Sequence, residues 1–135
     1  MKRTDSITIG ILGLGYVGLP LAVEFGKKYP TVGFDLKAKR IEQLQAGFDV
    51  TREVTSTELA GAQYARFTSD SDQLADCNYY VVTVPTPIDD SKRPNLQPLV
   101  SASEIAGRYL RQGDIVIYES TVYPGATEEV CVPIL

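Results

Sequence analysis

The sequence predicts an α/β fold, a doubly wound and mostly parallel sheet of five to six strands with helices on both faces. Three observations carry that prediction. Apolar runs of strand length alternate with helical patterns along all 135 residues. The first run, Ile7-Thr-Ile-Gly-Ile-Leu12, enters Gly13-x-Gly15-x-x-Gly18 directly. A second run ends in Asp35, twenty residues beyond Gly15. Helices that connect successive strands bring each strand back in the same direction, so alternation argues for parallel pairing and a sheet covered on both sides.

The first strand is read at residues 8–12. In the turn that follows, Gly13 permits a sharp reversal, Gly15 permits close approach of a pyrophosphate, and Gly18 permits a helix to pack tightly on the strand. That helix, read at residues 17–28 and beginning near Tyr16, points its unpaired N–H groups and the positive end of its dipole at the phosphates. No basic side chain is then needed there. Pro20 sits awkwardly, several residues into the helix, where it begins to cost an intrahelical bond.

The second strand, residues 31–35, ends on the acid. A carboxylate there accepts hydrogen bonds from both adenosine-ribose hydroxyls and repels a 2′-phosphate, so this Rossmann pattern favours NAD over NADP. The blander alternative is that Asp35 caps the helix starting near Lys37. Lys37, Lys39 and Arg40 form a basic cluster that could hold a 2′-phosphate, but Asp35 lies nearer and is expected to dominate.

A helix is read at residues 37–46, and residues 48–62 show no clear period and are read as loop with at most a short helix. A weaker strand follows at 65–68, a short helical stretch at 71–75, and a strong apolar strand at 79–84. That strand runs into Pro85-Thr86-Pro87, whose prolines fix the backbone as it leaves the sheet. Ligands of doubly wound sheets lie outside the carboxyl ends of the strands where the strand order reverses, so strands one and four should flank the cofactor and Thr86 should touch it. The alternative for Thr86 is a surface residue in a rigid turn. The best-formed helix is residues 96–110, with Leu96, Leu99, Val100, Ser103, Ala106, Gly107 and Leu110 at helical spacing and Gly113 as its stop. The last strand, 114–119, leads into Glu119-Ser-Thr-Val-Tyr-Pro-Gly125. Thr121 emerges on the same edge, where its hydroxyl either donates to a cofactor amide or orients a water; alternatively Ser120 or Thr121 caps the next helix.

Composition narrows the function further. The chain is one domain, residues 1–135, with a core of ordinary size. A net charge of −4 argues against a nucleic-acid surface. No apolar run approaches the roughly eighteen residues a membrane span needs, and the first residues lack a signal peptide's apolar core, so the expected location is cytoplasmic, without membrane contact. The two cysteines, Cys77 and Cys131, have no metal or disulfide spacing and are read as reduced thiols, Cys131 as a small buried hydrophobe. Histidine is absent, which removes Ser-His and Cys-His nucleophile systems and histidine metal sites. Metal ligation is not expected. Residues 128–135 read as the first turns of a helix that is cut off, so a larger protein with a second part is expected.

Gly13-Leu-Gly-Tyr-Val-Gly-Leu-Pro-Leu-Ala22, Val84-Pro-Thr-Pro87 and Glu119-Ser-Thr-Val-Tyr-Pro-Gly-Ala-Thr-Glu-Glu129, in this order, resemble the UDP-glucose/GDP-mannose dehydrogenase family. Within it they look most like UDP-N-acetylhexosamine 6-dehydrogenases of polysaccharide and Vi-antigen biosynthesis. The resemblance implies oxidation of a nucleotide sugar's C6 alcohol to the carboxylate in two steps with two NAD. It implies that the backbone of Tyr16 and Val17 meets the pyrophosphate and that Asp35 and Arg40 address the adenosine ribose. Pro85 and Thr86 would line the cofactor cleft, with Thr121 beside the reacting centre as the catalytic candidate. The family carries proline at the place of Pro20 too. Its second oxidation uses a thiohemiacetal on a cysteine, helped by a lysine, an asparagine and an aspartate from later regions; those motifs do not occur here, and Cys131 does not match the nucleophile's. The expectation is therefore an NAD-binding domain that binds without turnover, monomeric by itself, from an enzyme that acts as a homodimer on a nucleotide sugar. The rivals are a freestanding NAD(H)-sensing Rossmann module and a 3-hydroxyacid dehydrogenase fragment. The Pro-Thr-Pro and Ser-Thr-Val-Tyr-Pro-Gly turns speak against both.

Overall fold

Five four-residue strands form one sheet in the computed structural model, which describes residues 6–85, 95–119 and 132–135. They are β1 (Ile9–Leu12), β2 (Thr31–Phe34), β3 (Ala65–Thr68), β4 (Tyr79–Val82) and β5 (Ile115–Tyr118), in the spatial order β3-β2-β1-β4-β5 with every pairing parallel. Ile9 lies opposite Thr31 on one side and Tyr79 on the other. The chain thus builds outward from β1 in one direction, returns, and builds outward in the other. That reversal puts a crevice at the carboxyl ends of β1 and β4.

Both faces of the sheet are dry at its centre, while at the β5 edge Ile115 and Ile117 are exposed. Side chains alternate along each strand, so Ile9, Ile11 and Val81 face one layer while Leu12, Val32, Phe34, Tyr80 and Val82 face the other. The first layer is closed by α1 (Gly18–Gly26), α2 (Ala38–Gln45) and α3 (Ser56–Gly61), through Leu19, Ala22, Val23, Ile41, Leu44 and Leu59. The second is closed by a 3₁₀ helix, Ser71–Asp76, and by α4 (Gln97–Tyr109), through Leu74, Leu99, Ala102, Ile105 and Ala106. Each fully buried aliphatic side chain contributes roughly 1.5–3 kcal/mol relative to exposure. Tyr80 is wholly buried and its hydroxyl donates to the Leu74 carbonyl at 3.0 Å, with burial pushing the phenol well above its usual pKa. A last helical turn, α5 (Val132–Ile134), packs near α4.

Several elements differ from the sequence reading for identifiable reasons. α1 starts at Gly18, later than Tyr16, which makes Pro20 the third helical residue. There it falls in the first turn, where a missing N–H costs least. The buried stripe of α4 is Leu99, Ala102, Ser103, Ile105 and Ala106, whereas Val100, Gly107 and Leu110 are only half-buried. Small Ala102 had no weight as a hydrophobic marker. Within the 48–62 segment, α3 is nucleated by a capping box: Thr55 Oγ1 accepts from the Glu58 amide and Glu58 Oε1 from the Thr55 amide, each at 3.1 Å. At six residues it is too short to show a period. The 3₁₀ helix stands where a short α-helix was expected and is capped by Asp70, whose carboxylate accepts from the Asp72 amide at 3.0 Å.

Candidate cofactor cleft

The turn after β1 is held from three sides. Gly13 has φ +107°, a conformation that side chains resist, and a Cβ there would also lie 2.9 Å from the Val84 backbone nitrogen. Its amide donates to Phe34 O at 2.8 Å, and its carbonyl accepts from Thr83 Oγ1 at 2.7 Å. At Gly18 a Cβ would overlap both the Gly13 carbonyl oxygen and Thr83 Oγ1. Gly18 is therefore buried beneath the turn and does not line the cleft; of the expected cofactor residues it serves by packing alone. Gly15 is the contrary case, since a Cβ there would meet nothing within 4 Å. The space above it is open, at the N-terminus of α1, where first-turn N–H groups lack intrahelical partners.

Asp35 follows β2 at the same edge of the sheet, half-buried. Its Oδ2 accepts from the Leu14 amide and its Oδ1 from the Lys37 amide, both at 2.9 Å. The contact expected of the capping alternative is present, and the carboxylate braces both the glycine turn and the entry to α2. Each oxygen keeps acceptor capacity for a further hydroxyl.

Arg40 is not a solvated member of a basic cluster. It is only 9% exposed, its Nε donates to Leu14 O at 2.9 Å, and its Nη1 donates to Asp49 Oδ1 at 2.7 Å. Its Nη2 is buried and has no partner among the described residues. Asp49, whose side chain is wholly buried, accepts four further hydrogen bonds, from the Thr51 amide and hydroxyl and from the Glu53 and Val54 amides, at 2.7–3.0 Å. Desolvation pushes its carboxyl up, but the bonds from Thr51, Arg40 and the amides outweigh it and hold the pKa at about 2.

These groups border a single cleft of about 1130 Å³. Gly13, Gly15, Tyr16, Val17, Asp35, Arg40 and Pro85 all line it, so the structure brings together seven of the expected cofactor residues. Exposed Leu36 and Val50 wall the end near Asp35, and Thr83 and Glu119 border the β4 side. Thr86 and Thr121 lie outside the described residues, as do Pro87, Ser120 and Cys131. Cys77 is fully buried in the core layer that holds Leu74 and Tyr80. Among the described residues there is no cluster of three potential metal ligands, and no helix is long and apolar enough to cross a membrane.

Residues 7–135 match the UDP-glucose/GDP-mannose dehydrogenase family, NAD binding domain. The chain belongs to this family. It is similar to UDP-N-acetyl-D-glucosamine 6-dehydrogenase of Salmonella typhi, with 59% identity over 100% of this chain and 32% of that protein. The protein of the same description from Pseudomonas aeruginosa is 59% identical over 96% of this chain and 31% of its own length. In structure it is similar to UDP-D-ManNAc dehydrogenase of Pyrococcus horikoshii, with 28% identity and TM-score 0.83 over 95% of this chain and 32% of that one. The chain thus spans about a third of the length of these relatives. Its cofactor, as the NAD binding domain of this family, is NAD.

The cleft fits such a dinucleotide on its own geometry: open space at Gly15, a carboxylate at one end and apolar walls beside it. Three residues in or behind this cleft went unread in the sequence. Thr83 is the one aliphatic hydroxyl in the apolar 79–84 run, a mismatch that could have marked it. Asp49 and Thr51 form an Asp-x-Thr step, the local signature of a side chain folding back on its own backbone.

Proposed function

We propose that this chain is the NAD-binding part of a nucleotide-sugar 6-dehydrogenase that oxidises the C6 alcohol of a UDP-N-acetylhexosamine to the uronate. The observation that carries the reading is the joining, in one cleft, of the open Gly15 turn and the Asp35 carboxylate. The 59% identity to two UDP-N-acetyl-D-glucosamine 6-dehydrogenases supports the sugar class. When bound, NAD supplies the hydride acceptor. The chain's own residues bind and orient it. Backbone N–H groups at Tyr16 and Val17 receive the pyrophosphate, Asp35 accepts from the ribose hydroxyls, and Arg40 backs that end from beneath the turn. Pro85, with Thr86 beyond it, borders the nicotinamide side, and Thr121 stands near the reacting centre. The sugar-binding groups and the nucleophile for the second oxidation belong to the rest of the protein, a cytoplasmic homodimer in this reading.

Calorimetric titration of the chain with NAD and with NADP tests the proposal, repeated for Asp35→Ala. Hydrogen bonds to a charged group are worth about 1.5–3 kcal/mol each, so the substitution should weaken NAD at least tenfold. NAD should bind more tightly than NADP, and UDP-N-acetylglucosamine with NAD should yield no NADH from this chain alone. Failure to bind NAD, or an Asp35→Ala chain that binds it unchanged, would refute the proposal.

A further inference from the structure

A cofactor cleft that carries an arginine beside its ribose carboxylate invites a 2′-phosphate. Arginine offers a planar fork of donors suited to phosphate, and it keeps its charge at every accessible pH. Asp35 opposes that charge from one side only. Its two oxygens are already directed at the Leu14 and Lys37 amides, and neither contacts Arg40. Discrimination against a 2′-phosphate therefore needs a second element, and the buried side of Arg40 supplies it.

We propose that Asp49 is a second determinant of cofactor choice, acting through Arg40: it neutralises the guanidinium and pins it beneath the glycine turn, where it cannot turn outward to a 2′-phosphate. Two of the three guanidinium nitrogens are committed, Nε to Leu14 O and Nη1 to Asp49 Oδ1, and Nη2 is buried. The anchor is itself rigid. Asp49 is held by three backbone amides and the Thr51 hydroxyl, so the carboxylate cannot follow Arg40 outward. Its neighbours Val50 and Thr51 line the cleft, whereas the Asp49 side chain is wholly buried and does not line it. Asp49 is thus a positioning residue, and its effect is on the ratio of two affinities. Lys37 and Lys39 are exposed at the rim, and the substitutions below leave both in place.

This inference rests on the proposed dinucleotide site, and the test separates the two. NAD and NADP are titrated calorimetrically, at one ionic strength, into the wild-type chain, Asp49→Asn, Asp49→Asn with Arg40→Gln, and Asp35→Ser. A wild-type chain that binds no NAD refutes the site itself. Given NAD binding, Asp49→Asn should shift the NADP-to-NAD affinity ratio at least tenfold toward NADP, and adding Arg40→Gln should abolish the gain. A purely structural role would weaken both nucleotides alike and leave the ratio unchanged; that result would overturn the inference. The amide introduced by Asp49→Asn must turn its NH₂ group toward donors on one side, so folding of that variant is checked by circular dichroism. Should it not fold, Asp35→Ser decides. With Arg40 still paired, that chain should lose NAD and stay poor for NADP, whereas NADP binding as tight as wild-type NAD binding would overturn the role of Asp49.

Discussion

Replacing Gly15 and Gly18 separately by alanine should split a single motif into two functions. At Gly15 a Cβ meets no atom within 4 Å, and the residue's φ lies outside the left-handed region. The folded chain therefore accommodates alanine without strain. Removing a glycine from the unfolded ensemble then stabilises by roughly 0.4–1 kcal/mol. For a chain of this size that is a melting temperature unchanged or raised by about 2–4 °C. The open space is where a pyrophosphate would approach, so the same methyl should reduce NAD affinity at least tenfold, about 1.4 kcal/mol.

At Gly18 the added methyl overlaps the Gly13 carbonyl and Thr83 Oγ1, which are themselves bonded to each other. Neither can swing away as the end of a flexible side chain can. Overpacking of this kind costs about 1–3 kcal/mol, and loss of the Thr83 bond adds about 1 kcal/mol. A fall of roughly 10 °C in melting temperature is expected. Differential scanning calorimetry and NAD titration on both variants give the readout. If Gly15→Ala binds NAD like the wild type, the open turn is not the phosphate site; if it melts as low as Gly18→Ala, the division between an open glycine and a packing glycine is wrong.

Asp49 should make stability acid-sensitive. Its folded pKa of about 2 lies below the unfolded value of 3.8, so its contribution of about 2 kcal/mol is complete above the unfolded value. It is lost as pH falls through about 2. Urea denaturation between pH 7 and pH 2 should show that decline in the wild type and a shallower one in Asp49→Asn; parallel curves would contradict it. Thr83→Val should lower stability by about 1 kcal/mol in the same assay, because the Gly13 carbonyl loses its donor at 2.7 Å.

What the sequence made legible is what depends on neighbours in the chain. Four of the five strands were readable as short apolar runs bounded by turn residues, β3 (Ala-Arg-Phe-Thr) only weakly, and the glycines and Asp35 because their spacing follows from one βαβ unit. Errors of one or two residues at strand and helix ends reflect side-chain contacts that no local pattern encodes. α3 was allowed only as a short helix without bounds, because its stability comes from a capping box and a single buried leucine, Leu59, and not from a periodic face. The stripe of α4 was read with Leu99, Ser103 and Ala106 in place but took in half-buried Val100, Gly107 and Leu110 and passed over Ala102 and Ile105; Ser103 pairs with the Tyr118 hydroxyl at 2.8 Å.

The parts of the cleft that were unreadable share a different cause: they are partnerships between residues whose separation carries no information. Thr83 meets Gly13 across 70 positions because β4 lies beside β1, a fact of sheet order. Arg40 looked like one of three exposed bases in Lys37-Ala-Lys-Arg40, and helical geometry alone turns it inward, a third of a turn away from Lys39. Once inward, a charge needs a partner, and burial without one would cost several kcal/mol. That demand is what makes Asp49 informative. A carboxylate saturated by five donors nine residues beyond Arg40 is not explained by loop geometry, which three amides would satisfy. It fits the proposal that Asp49 keeps this cation still beside the cofactor site.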